Sequence, residues 1–355
     1  VAEPKTERIY VRLPNWVGDV VMAQPFLSAL RRGFPEACIE VHGKKHTFSF
    51  IRPCGSYDYE IPLEREPGPL WPFKEGRRVR AVRPAFDLAI VLPNSLSSGI
   101  IAWTIGAPRR LGYRLNARGP LLTEALYAKK VGRLRPIPMI DYYLKLAAQA
   151  GASIEGIPRR PVLPITEEAK AWADDFLSRN GVKDGDVIWA FNAGGAWLTK
   201  RYIPEYVAEL ADRIAARGAR PLILGGPDEL AIGETIRSSA KSSELFGLPE
   251  EVVPLDRLTA VLARCQILIT TDSGPRHFGV AAGIPVLVTI GPTHPGYTGV
   301  DYDRLAIVCD EVECWPCHLK QCPLAGDEHF KCMRRLDPDR VLGAADQLLL
   351  GASQG

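Results

Sequence analysis

The sequence predicts an α/β protein built from two doubly wound parallel sheets, and three observations carry that reading. Short β-rich runs alternate with longer helical stretches along the chain, the rhythm of parallel strands joined by crossover helices. Asp87–Leu92 (DLAIVL) is a near-continuous apolar run, as a strand buried on both faces requires. The chain has 355 residues, enough for two domains of about 150 residues each. The rhythm also halts once, at Ser153–Pro164, a stretch with three prolines and little periodicity, and then restarts.

Taken in order, Arg8–Leu13 reads as a strand and Asp19–Gly33 as a helix ended by Gly33 and Pro35. Cys38–His42 is the second strand and Asp87–Leu92 the third. Ser97–Ile105 and Met139–Ala150 read as helices, the latter stopped by Gly151. After the linker come helix Glu167–Asn180, strand Val187–Asn192, helix Pro204–Arg217, strand Arg220–Leu224 and helix Asp228–Ser238. Helix Asp256–Arg264, strand Ile267–Thr271, helix Pro275–Ala282 and strand Pro285–Ile290 follow, and Pro338–Leu350 is the last helix. The domains are therefore 1–160 and 161–336, with 337–355 carrying that helix. In doubly wound sheets ligands bind beyond the carboxyl ends of the strands, so the expected site is a cleft between the two domains.

Composition narrows the function. Hydrophobic residues are 46% and charged residues 24%, ordinary globular values that exclude a disordered or fibrous chain. Lys and Arg total 44 against 41 Asp and Glu, a formal net charge of +3, so nothing calls for nucleic acid. No apolar run reaches the length of about 18 residues that a membrane span needs. The first residues, VAEPKTERIYVRL, lack the apolar core of a signal peptide, and the expected location is the cytoplasm.

Five segments can carry chemistry. In NWVGDVVMAQP, Asp19 opens the first helix; it is either a helix-capping acid or a general base at a strand's carboxyl end. In DSGPRH, Asp272–His277, the residues Ser273 and Gly274 start a helix whose free N–H groups and dipole suit a phosphate. There His277 can donate to a diphosphate. In NAGGAWLTKRYIPE, Gly194 and Gly195 allow close backbone approach, and Lys200 and Arg201 add positive charge. Neither a GxxxxGK(S/T) loop nor a GxGxxG fingerprint is present. RRLGYRLNARGPLLT, a loop-like stretch, carries Arg110, Arg114 and Arg118 beside Arg109, a patch for an anionic acceptor or a solvated loop with structural ion pairs. Last, Cys309, Cys314, Cys317, Cys322 and Cys332 crowd one segment with His318 and His329. In a reducing compartment Cys314, Cys317, Cys322 and Cys332 suit a structural zinc site. Paired disulfides and free thiols are the alternatives, and the cluster is expected to lie remote from Asp19.

Together these segments resemble glycosyltransferase family 9, the ADP-heptose:lipopolysaccharide heptosyltransferases, over nearly the whole chain. NWVGDVVMAQPFLSALRRGFP is similar to the family's N-terminal motif. LPNSLSSGIIAWTIGAPRRLGYRLNARGPLLT is similar to the enzymes adding the second core heptose. GGAWLTKRYIPEYVAEL, TTDSGPRHFGVAAGIPVLVTIGPTHPGYT and the cysteine-rich segment complete the order. The resemblance implies a GT-B fold of two Rossmann-like domains, the first binding acceptor, the second ADP-sugar, and a last helix packing back towards the first. It implies Asp19 as general base and Lys200 against the departing diphosphate. Asp272, Ser273, Gly274 and His277 would form the nucleotide pocket, with Gly291, Pro292 and Thr293 near the donor. The implied partners are a nucleotide-sugar and an anionic lipid-linked glycan at the inner membrane surface, with no cofactor needed for catalysis. Tyr202 and Ile203 stand where the family has Trp-Pro, and Ser97 where its nearest members have Lys. A transferase with another donor or glycan, a nucleotide-sugar epimerase and a non-catalytic nucleotide-binding module are the alternative readings.

Overall fold

The structure is a computed structural model that describes residues 6–128 and 137–352. The chain divides into two compact units, Val1–Pro161 and Val162–Gly355, inside the stretch read as linker.

The first unit holds strands β1 (Arg8–Arg12), β2 (Cys38–Gly43), β3 (Tyr59–Pro62), β4 (Leu88–Val91), β5 (Arg109–Tyr113) and β6 (Glu124–Leu126). They form one sheet in the order β3-β2-β1-β4-β5-β6, with every pair parallel. Helices on the faces bury β4 completely, which is why its sequence is an unbroken apolar run. One side of the core gathers Tyr10, Val79, Phe86, Val91, Ile101 and Ile105. The strand order reverses between β1 and β4, so the switch-point crevice lies beyond their carboxyl ends. The chain leaving β1 there carries Asn15–Asp19, and the chain leaving β4 carries Leu92–Ser95.

The second unit repeats the plan. Strands β7 (Ile188–Asn192), β8 (Arg220–Ile223), β9 (Phe246–Gly247), β10 (Ile267–Thr271), β11 (Val286–Ile290) and β12 (Leu305–Cys309) order as β12-β11-β10-β7-β8-β9, again all parallel. Its switch point lies between β7 and β10, paired at Asn192 and Thr270. Trp189, Phe191, Leu210, Ile269 and Leu287 form its core with Val341 and Ala345 of the last helix, Pro338–Ala352.

Several elements differ from the sequence reading. The first helix is two, Val17–Met22 and Gln24–Gly33. Pro25, at the start of the second, has no N–H to donate and crowds the carbonyl four residues back, so the first helix ends before it. Trp71–Val82 is a helix and Tyr59–Pro62 a strand that periodicity did not reveal. The Arg109–Thr123 stretch is not a loop throughout, since its first five residues form β5. By contrast, Met139–Ala150 has its expected bounds, with Gly151 closing it in the left-handed conformation at φ 108°, where a side chain would be strained.

Candidate active site

In the second unit three loops leave the carboxyl ends of β7, β10 and β11, and Asp272 ties them together. Its Oδ2 accepts from Lys200 Nζ at 3.0 Å and from Thr293 Oγ1 at 2.8 Å. Its Oδ1 accepts from Arg276 Nη1 and from Thr298 Oγ1, each at 3.0 Å. Lys200 also donates to the Asp272 carbonyl at 2.9 Å. Burial alone would raise the carboxyl's pKa. The Lys200 and Arg276 charges, with the Thr293 and Lys200 hydrogen bonds, outweigh burial and hold it well below the usual carboxylate range. Asp272 is therefore a permanent anion that fixes the Lys200 ammonium at the mouth of the loops.

Ser273 is the N-cap of the nine-residue helix Gly274–Ala282, yet its side chain does not cap it. Its hydroxyl donates instead to Asn192 Oδ1 at 3.1 Å. The first N–H groups of that helix are left for another acceptor. His277 is buried, and its Nδ1 has no partner among the described residues. Burial, then the Arg276 charge, pushes its pKa down to about 3, so the imidazole is neutral.

The glycine pair after β7 has a specific neighbour. A Cβ on Gly194 would fall 1.9 Å from Glu229 Oε1. That carboxylate accepts from Gly195 N at 2.7 Å and from Gly226 N at 2.9 Å. The glycines thus admit a side chain of the protein's own, and the Gly195 N–H already has an acceptor. Gly291 is similarly covered, by Met333 Sδ at 2.7 Å and Cys332 Sγ at 3.1 Å from where its Cβ would lie.

In the first unit Asp19 lies in the opening turn of Val17–Met22, half-buried, while Trp16 holds the N-cap position. It faces Tyr143, whose hydroxyl pKa is driven up by burial and then by the Asp19 charge. The three arginines separate. Arg114 is exposed, donating to the Tyr127 hydroxyl at 2.8 Å. Arg110 spends its guanidinium on the Leu121 and Ala107 carbonyls, at 2.8 and 2.6 Å. Arg118 is fully buried and binds the Tyr113 carbonyl at 2.8 Å, Asn94 Oδ1 at 2.9 Å and the Pro93 carbonyl. One surface patch of three charges is therefore not formed.

The cysteine expectation needs correction. Among the described residues no group of three or more His, Cys, Asp or Glu side chains is arranged to hold a metal ion, and all eight cysteines are free thiols. Zinc at Cys314, Cys317, Cys322 and Cys332 is not supported, nor are paired disulfides. The four thiols do lie near one another: burial, then the neighbouring Cys314, Cys317 and Cys322, raises the Cys332 pKa to about 11.

Comparison with known proteins decides the family. Residues 74–326, more than half of the chain, match glycosyltransferase family 9 (heptosyltransferase). The chain belongs to glycosyltransferase family 9. Lipopolysaccharide heptosyltransferase 2 of Escherichia coli K12 is 26% identical over 303 residues, covering 82% of this chain and 84% of that protein. Lipooligosaccharide heptosyltransferase 2 of Campylobacter jejuni serotype O:2 is 24% identical over 352 residues, covering 96% and 98%. Among solved structures, the glycosyl transferase family 9 protein of Veillonella parvula superposes with TM-score 0.81 at 24% identity, covering 97% of each chain. E. coli ADP-heptose LPS heptosyltransferase II gives 0.76 at 24%, covering 98% and 99%. The α/β architecture of two parallel six-stranded sheets is thus that of the GT-B heptosyltransferases. No helix among the described residues is long and apolar enough to cross a membrane.

For this family 9 enzyme, sequence reasoning missed Arg276, Thr298 and Glu229. Arg276 was within reach of it, since a cation four residues after Asp272 on a helix faces that carboxylate. Thr298 and Glu229 meet the site only through the fold.

Proposed function

We propose that the protein is an inverting transferase that moves a heptose from ADP-heptose to a lipopolysaccharide inner-core acceptor. The observation that carries this reading is the Lys200 ammonium held by Asp272, 3.0 Å away, beside a helix start without a side-chain cap. Such a constellation suits a diphosphate leaving group. Family membership and the names of the heptosyltransferase 2 relatives supply the sugar and the acceptor class.

In the reaction the acceptor oxygen bonds to the anomeric carbon as Asp19 takes its proton. The bond from that carbon to the diphosphate breaks, and its electron pair leaves with ADP. Lys200 and the Gly274 N–H at the start of the helix oppose the charge that builds there. The loops at Gly194–Gly195 and Gly291–Thr293 flank the donor, and His277 offers a neutral imidazole. In the first unit Arg114 meets the anionic lipid-linked glycan, while Arg110 and Arg118 brace the backbone that presents it. The enzyme works in the cytoplasm, at the inner membrane face where that acceptor resides.

The experiment incubates the protein with ADP-heptose and a heptose-accepting core, and follows ADP release and heptosylated product by mass spectrometry. Asp19→Asn keeps ADP affinity and loses roughly 10²–10⁴ in turnover. Near-normal turnover in that variant rules Asp19 out as the base. Failure to consume ADP-heptose while another nucleotide-sugar is consumed overturns the donor assignment.

A further inference from the structure

The segment Cys314–Lys320 is pinned to two of the three site loops. The His318 N–H donates to the Pro292 carbonyl at 2.9 Å, docking the segment on the Gly291–Thr293 turn. Thr199 Oγ1 donates to the Leu319 carbonyl at 2.5 Å and its N–H to the Lys320 carbonyl at 3.4 Å, docking it on the turn that carries Lys200. Behind it, Cys332 and Met333 close over Gly291, with the other three thiols of the cluster around Cys332. The segment is therefore a wall of the site, built from a part of the sequence that the transfer chemistry above leaves unused.

His318 is the residue this wall delivers. Its backbone is left-handed, at φ 52°, a conformation that side chains other than glycine rarely adopt and that persists where the surroundings impose it. Its ring meets the edge of Tyr297 at 5.4 Å, and its Nε2 is buried without a partner among the described residues. The charged and titratable groups it feels are Lys200, His294 and Asp272. Next to it, Trp315 stacks on His294 at 5.6 Å, and its Nε1 is likewise buried and unpaired among those residues. An unpaired buried ring nitrogen that feels the Lys200 ammonium is suited to an anion, and the Trp315 Nε1–H is a second unpaired donor on the same segment.

We propose that His318 is a donor-binding residue whose Nε2–H bonds a phosphate oxygen of the nucleotide-sugar diphosphate, and that the cysteine-rich segment serves to hold it beside Lys200. This rests on the ADP-sugar reading of the site. Glycine is the informative substitution, since it removes the imidazole yet accepts the left-handed backbone.

The test titrates the full-length chain calorimetrically with ADP and with adenosine. His318→Gly weakens ADP roughly ten- to hundred-fold, the loss of one hydrogen bond to a charged group, and leaves adenosine affinity unchanged. Leu319→Ala, an exposed side chain on the same segment, leaves both unchanged. Equal ADP affinity in wild type and His318→Gly overturns the proposal and spares the parent reading. Parallel loss of ADP and adenosine assigns His318 a purely structural role and also overturns it. A wild-type chain that does not bind ADP removes the parent reading and this proposal with it.

Discussion

Removing the charge of Asp272 is the sharpest test of how the second unit is held together at its site. The carboxylate is 5% exposed and takes four side-chain hydrogen bonds, two of them from the cations Lys200 and Arg276. Asp272→Asn keeps the shape, yet leaves a fully buried guanidinium and a largely buried ammonium facing a neutral amide. Breaking a buried ion pair by deleting one partner costs about 3–5 kcal/mol. For a unit of this size that lowers the melting temperature by roughly 6–20 °C, at about 2–4 °C per kcal/mol. Thr293→Val calibrates the result: it removes a single hydrogen bond to the same carboxylate, about 1.5–3 kcal/mol. Scanning calorimetry of the two variants and wild type gives the comparison. An Asp272→Asn protein that melts no lower than Thr293→Val would refute the claim that this anion balances the two cations.

Two further outcomes follow from the same geometry. Arg114→Ala should raise the KM for acceptor without moving the melting temperature or ADP affinity, whereas Arg118→Ala should lower the melting temperature, because it empties a fully buried position and removes the guanidinium's hydrogen bonds to the Pro93 and Tyr113 carbonyls and to Asn94 Oδ1; kinetics and thermal melts on both variants check the division, and an unstable Arg114→Ala would reverse it. Stability should also fall on mild acidification. Burial lowers the pKa of His42 to about 4 and that of His277 to about 3, so the unfolded chain binds protons near pH ~6.5 that the folded chain refuses. For a depressed pKa the contribution is complete above the unfolded value and lost below it, about 2 kcal/mol per histidine by pH ~5. A melting temperature that is flat from about pH 6.5 to 5 contradicts the neutral, buried assignment.

The parts of the fold that could be read from sequence are those in which each residue's environment is set by near neighbours. β4 is apolar throughout and β10 is buried along its whole length because helices cover both faces, and Gly151 and Gly283 end their helices in the left-handed conformation. What could not be read are elements whose polar residues find partners far along the chain. β5 begins with two arginines, and Arg109 is matched by Glu124 of β6 at 2.7 Å, so a strand resembles a solvated loop. Trp71–Val82 carries Glu75, almost fully buried, where its apolar stripe should run. That carboxylate accepts from Arg78 and meets His42 Nε2 at 2.8 Å, a pairing across the unit with no trace in the local pattern.

The same distinction governs the site. Loop positions at strand ends are legible, because topology fixes them: Lys200 and Asp272 follow the two strands between which the order reverses, and Thr293 follows the strand next to them. The fate of a given charge is not legible. Arg114 and Arg118 stand four residues apart in one basic run, and a linear reading treats them alike. Between them Asn116 and Ala117 both adopt left-handed backbone, at φ 49° and 61°, which turns the chain back on itself. Arg118 is thereby carried under the sheet edge, against the Pro93–Asn94 exit of β4, and Arg114 is left outside. A single turn, at residues with no charge of their own, thus decides which arginine stays exposed and which braces the loop.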